Sequence, residues 1–85
     1  MMTFQYTIKE KEGIHARPAA MLVKAAKETD SKITIQKDEK SAEATKLMAI
    51  MAMGIKCGDV VSVSVEEGNE EQSFCKMKEF FENNL

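Results

Sequence analysis

The sequence predicts a two-layer α+β fold, and three observations carry that prediction. Stretches with apolar residues at every second position interleave with stretches at helical spacing, in the order β-α-β-β-α-β-α. The central pair of strand-like stretches is separated by a short polar turn, which makes a hairpin and points to antiparallel pairing. With 44% hydrophobic residues in a chain of 85, there is apolar surface for one modest core and no more. Helices covering one face of a mainly antiparallel sheet, an open-faced sandwich, satisfy all three.

Residues 3–9, TFQYTIK, place Phe4, Tyr6 and Ile8 on one side of a first strand, and Glu10 to Gly13 form a charged turn. From Ala16 to about Lys27 the spacing becomes helical. Ala19, Leu22, Val23 and Ala26 share one face, while Arg17, Lys24 and Lys27 lie towards the other, so the exposed face is basic. KITIQK at 32–37 alternates again with Ile33 and Ile35 inward; residues 38–40 suit a turn, and SAEA returns as a short third strand.

The run LMAIMAM at 47–53 is helix-forming, with Gly54 as its stop, and is apolar on every side. A short helix lying on a sheet cannot bury all of that surface. Residues 59–67 form the fourth strand with Val61, Val63 and Val65 on one face. Asn69 opens the last helix, Gln72 completes a capping box, and Phe74, Met77, Phe80 and Phe81 supply the buried face. No linker, repeat or low-complexity segment divides the chain, so residues 1–85 read as one domain.

Charge and cysteine content exclude several function classes. Twelve basic against fourteen acidic residues argue against nucleic acid as the main partner. No leader-like start and no long apolar run is present, which predicts a cytoplasmic protein without membrane insertion. Cys57 and Cys75 form no CxxC pattern and have one histidine between them and a zinc site, so both read as structural thiols, with no metal or cofactor expected.

The chemistry concentrates in GIHARPAA, residues 13–20, which holds the only histidine. A lone histidine is most often a surface residue or one tied to a nearby carbonyl. His15, however, falls at or just before a helix N-cap, where the N–H groups of Ala16 and Arg17 lack intrahelical partners and the dipole is positive. That end of a helix favours the neutral ring over the imidazolium, and a neutral imidazole is a nucleophile. Pro18 suits the first turn, and Arg17 offers a fork of donors matched to phosphate oxygens. The chain has no Gly-rich phosphate loop and no carboxylate set laid out for magnesium. Such a site would receive a phosphoryl group from one protein and surrender it to another.

GIHARPAA, together with chain length, element order and the LMAIMAMG helix, closely resembles HPr, the histidine-containing phosphocarrier of the phosphoenolpyruvate-dependent sugar phosphotransferase system (PTS). The resemblance implies that His15 is phosphorylated on Nδ1, receiving the group from Enzyme I and passing it to the A components of sugar permeases. It implies that Arg17 stabilises the phosphoryl group, with Ala16, Arg17 and Pro18 as backbone and support. It further implies a strand order of 1-4-2-3 with three helices on one face. Ala20, Lys24, Lys27, Leu47, Met48 and Met51 would be the docking surface, although each methionine also has a reading as core. The protein would be a transiently phosphorylated monomer, not a free-standing catalyst.

Two positions depart from the pattern. Many HPr proteins of Gram-positive type carry a regulatory serine at the start of the second helix, and ungapped counting from His15 puts Lys46 there. Lysine cannot take that modification, and Thr45 is a weak substitute because it points elsewhere. Glu12 would repel a phosphoryl group if it faced inward, so it is expected to point to solvent. The competing reading is an HPr-like regulatory module whose phosphorylation state is read by target proteins.

Overall fold

Four strands and three helices make up the computed structural model, which describes residues 1–85. The strands are β1 (Met2–Thr7), β2 (Lys32–Lys37), β3 (Lys40–Glu43) and β4 (Val60–Glu66). The helices are α1 (Ala16–Lys27), α2 (Leu47–Ala52) and α3 (Glu70–Asn84). All strand pairs are antiparallel, in the order β1-β4-β2-β3.

Register converts the alternation of each strand into two different faces. Phe4, Val63, Ile35 and Ala42 are matched across the whole sheet, and all are buried. The adjacent row, Gln5, Ser62, Gln36 and Ser41, is polar and faces away from the helices. A slip of one residue would exchange these rows and expose the core, which fixes the pairing. Twenty buried apolar residues form one cluster between sheet and helices. Phe81 of α3 sits at its centre, meeting Phe4 and Tyr6 edge-on at centroid distances of 5.8 and 5.6 Å.

Small departures from the expected pattern have local causes. In α1, Pro18 and Ala25 are buried with Ala19, Leu22 and Ala26, while Val23 is only half-buried at the edge of the helix's inner face. Lys40 belongs to β3, because Asp38 adopts φ 53° and closes a two-residue turn between Lys37 and Lys40. At the start of α3, Asn69 Oδ1 accepts from the Gln72 N–H at 3.2 Å, as a cap should. The return bond differs: Asn69 Nδ2 donates to Gln72 Oε1, and the Asn69 N–H donates to Asp30 Oδ1 at 3.0 Å.

The thiols require a correction. Cys57 and Cys75 are free and exposed, not packed in the core. Cys75 follows Phe74 on α3 and is turned outward from the face carrying Met77 and Phe81, and Cys57 lies in the turn before β4. No helix is long and apolar enough to cross a membrane.

Candidate functional site

The segment that carries His15 is short and is braced from three sides. On one side, the N–H groups of Lys9 and Glu10 both donate to the Leu85 carbonyl, at 2.5 and 2.7 Å, tying the turn to the end of α3. The turn closes on itself, with the Gly13 N–H donating to the Glu10 carbonyl at 2.9 Å and the Glu12 N–H to Glu10 Oε1 at 3.5 Å. On the far side, the Ile14 N–H donates to the Ile55 carbonyl at 3.0 Å.

Ile55 is itself held in place. Asp59 Oδ2 accepts from the Lys56 N–H and from Lys37 Nζ, both at 2.7 Å, and Lys37 Nζ also donates to the Gly54 carbonyl at 3.4 Å. The Lys37 ammonium and the Lys56 N–H hold the Asp59 carboxyl below the usual carboxylate range. Beyond the β1–β4 ladder, Ile8 and Gly58 continue the pairing through the bonds Ile8 N–H to Asp59 carbonyl and Gly58 N–H to Ile8 carbonyl. The loop before α1 thus rests on the sheet through a chain of bonds that begins at β2.

His15 is the N-cap of α1. Its backbone is extended (φ −104°, ψ −171°), its carbonyl accepts from the Ala19 N–H at 2.9 Å, and its side chain makes no capping bond. The ring is therefore free for other partners and is 41% exposed. The N–H groups of Ala16 and Arg17 take no partner within the protein, as expected for the first turn. Pro18, in the same first turn, is buried. Arg17 is exposed and has no carboxylate partner, so its guanidinium is free to meet an anion. His15, Arg17, Pro18 and Met21 line one shallow concavity with Glu10, Glu12 and Asn84.

Glu12 is exposed to solvent, as the sequence reading expected, but is not remote from the ring. Its side chain is 74% exposed, and Oε2 lies 3.7 Å from His15 Nε2. The reason is the tight turn ending at Gly13, which folds residue 12 back over the ring. Glu10 joins them: ligating atoms of Glu10, Glu12 and His15 all lie within 4.8 Å of one another. The sequence reading weighed Glu12 only as a threat to the phosphoryl group and did not pair Glu10 or Glu12 with the ring.

The remaining expected residues fall on one side of the molecule. Ala20, Lys24 and Lys27 are exposed on α1. The helix α2 packs beside α1 and presents Leu47, Met48 and Met51 at 37%, 76% and 39% exposure, while Ile50 and Met53 go into the core. The core reading fails for Met48 and Met51. Met21, 42% exposed and one helical turn beyond Arg17, extends this apolar surface to the histidine; its i+4 spacing from Arg17 was the available signal. Lys46 is the N-cap of α2, exposed and without a capping bond, and Thr45 beside it is half-buried.

Comparison with known proteins agrees with this arrangement. A family model described as the PTS HPr component phosphorylation site matches residues 2–83. The phosphocarrier protein HPr of Treponema pallidum (strain Nichols) is 36% identical over 76 residues, covering 89% of this chain and 86% of that protein. The solved structure of a Mycoplasma histidine-containing phosphocarrier protein superposes with a TM-score of 0.92 at 33% identity, covering 96% of this chain and 93% of the other. Crh of Bacillus subtilis, described as a catabolite repression protein and solved as a dimer with a swapped domain, is similar at a TM-score of 0.77 and 25% identity, covering 100% of this chain and 98% of the other. A partly exposed imidazole at a helix N-cap, free first-turn N–H groups, a free arginine and this sheet order converge with these matches: the chain belongs to the HPr family of histidine-containing phosphocarriers of the PTS.

Proposed function

We propose that residues 1–85 act as one phosphocarrier domain that accepts a phosphoryl group on His15 from phospho-Enzyme I and passes it to the A components of sugar permeases. The observation that carries this reading is the position of His15: an uncapping N-cap side chain beside two unpartnered N–H groups and a free arginine. The Nδ1 lone pair attacks phosphorus, a P–N bond forms, and the donor's bond to phosphorus breaks with its electron pair returning to the donor. The N–H groups of Ala16 and Arg17, the helix dipole and the Arg17 guanidinium stabilise the phosphoryl oxygens. Both directions of transfer need the same geometry, so an exposed, braced site suits a carrier better than a closed pocket.

Docking falls to the surface around it. Ala20, Lys24 and Lys27 with Leu47, Met48 and Met51 combine positive charge with adaptable apolar side chains, a combination that lets one face meet unrelated partners in turn. A carrier with one such face works as a cytoplasmic monomer, unlike the swapped dimer described for Crh. With Lys46 at the N-cap of α2, no serine hydroxyl is available there for regulatory phosphorylation.

The test is intact-protein mass after incubation with Enzyme I, magnesium and phosphoenolpyruvate. A gain of one phosphoryl group, stable at neutral pH and lost in acid, is expected; no gain with an Enzyme I proven active on another carrier overturns the reading. Arg17→Ala is expected to slow transfer about 10- to 100-fold, the worth of a charge-assisted hydrogen bond to an anion. Thermal unfolding should be unchanged, because Arg17 has no partner in the protein, and equal transfer rates would remove Arg17 from the site.

A second reading, in which the phosphorylation state of His15 is read by target proteins and not spent on sugar, draws support from the similarity to Crh. Transfer from the phosphorylated chain to a permease A component separates the two: rapid loss of phosphate to it favours the carrier.

A further inference from the structure

The His15 ring nitrogen within 4 Å of a carboxylate oxygen is Nε2, 3.7 Å from Glu12 Oε2. We infer that Glu12 is a positioning residue that keeps the ring proton on Nε2, so that Nδ1 carries the lone pair that takes the phosphoryl group. This deepens the carrier reading and rests on it for the transfer step, though not for the tautomer.

The argument starts from covalent geometry. Nδ1 is bonded to Cγ, next to the main chain, while Nε2 is at the outer edge of the ring. A carboxylate beside Nε2 stabilises the tautomer with hydrogen there, since that N–H is a donor and a bare lone pair would be repelled. At 3.7 Å the pair acts through charge and not through a direct hydrogen bond. Other charged groups around the ring do not cancel the effect. Glu10 has the same sign and lies in the same cluster, with its Oε1 engaged by the Glu12 N–H, and Asn84 at the end of α3 is neutral. Arg17, in the first turn of α1, lines the same concavity and has no carboxylate partner.

Proton accounting shows what this arrangement does. A neutral ring with hydrogen on Nε2 attacks through Nδ1 and becomes cationic, with the proton still on Nε2. When the phosphoryl group leaves, the P–N electron pair returns to Nδ1 and the ring is neutral again. No proton enters or leaves in either direction. If the phosphorylated ring lost the Nε2 proton, the leaving group would be an imidazolate, a far poorer one. The Glu12 carboxylate lies beside the nitrogen that keeps its proton throughout.

The test uses the whole chain with 15N-labelled histidine, whose single ring gives unambiguous long-range 1H–15N spectra. The ratio of Nε2–H to Nδ1–H tautomer in the neutral ring is expected to fall about two- to fivefold in Glu12→Gln and Glu12→Ala, the range for an exposed charge interaction. Glu12→Asp should retain part of the preference. Because Glu12 is 74% exposed, the variants fold, and an unchanged ratio in both overturns the inference. A wild-type chain with the Glu12-dependent ratio that takes no phosphoryl group from active Enzyme I supports the tautomer assignment and overturns the carrier reading alone.

Discussion

His15→Ala is expected to abolish the acid-labile mass gain completely while leaving the fold intact. No other residue can substitute, because His15 is the only histidine in the chain. Hydroxyl esters of phosphate survive acid, so a gain on serine or threonine would be distinguished at once. The fold should be indifferent for three reasons. The ring is partly exposed, its side chain makes no capping bond, and the contact that matters to α1, the Ala19 N–H to His15 carbonyl bond, belongs to the main chain. Replacing a good capping side chain costs about 1 kcal/mol, but here there is no such bond to lose. Mass spectrometry at neutral and acid pH, with a thermal melt of the same sample, checks both halves. An acid-labile gain retained in the variant would place the phosphoryl group on another nitrogen and dismantle the proposed site.

What could be read from the sequence divides along a physical line. Local features were legible because their causes are local: the alternation of Phe4, Tyr6 and Ile8, the spacing of Ala19, Leu22 and Ala26, and the Asn69 cap each depend on neighbours within a few residues. His15 at the N-cap belongs to the same class, since Gly13, Pro18 and the helical run mark the junction. Strand order does not. Nothing in the periodicity of Val61, Val63 and Val65 says that they lie between Phe4 and Ile35, and the 1-4-2-3 order came from resemblance.

The second helix shows an intermediate case. An all-round apolar run said that some surface would stay exposed but could not say which; packing beside α1 decides that Ile50 is covered and Met48 is not. The approach of Glu12 to His15 and the Lys37–Asp59 clasp were invisible because each joins distant segments or depends on the shape of a closed turn. Reading Glu12 as solvent-facing assumed that a repulsive charge must leave a phosphate site. Its carboxylate is exposed and yet lies beside His15 Nε2, so exposure and proximity coexist.

Gly13→Ala is expected to destabilise the protein by about 2–5 kcal/mol and to disturb the site at the same time. Two costs combine. Gly13 has φ +70°, a left-handed conformation that costs an L-residue about 1–2 kcal/mol. A Cβ there would also come within 2.3 Å of the Ile55 carbonyl oxygen and 2.6 Å of Lys56 Cα, and overpacking of this kind costs about 1–3 kcal/mol. Both neighbours are backbone, so no side chain can rotate away. Ile55 and Lys56 are in turn pinned by Asp59 and Lys37, which prevents the segment from yielding cheaply. For a chain of this size the thermal midpoint should fall by about 10 °C or more. Relief of the overlap would push apart the Ile14–Ile55 bond that carries the loop into α1, so transfer per folded molecule should fall as well. Gly54→Ala is the matched control: it has φ +63° but nothing within 4 Å of its Cβ position, so it bears the conformational cost alone. Equal destabilisation in the two variants would mean that the Gly13–Ile55 approach contributes nothing, and that the site is positioned by the turn and not by its seat on the loop before β4.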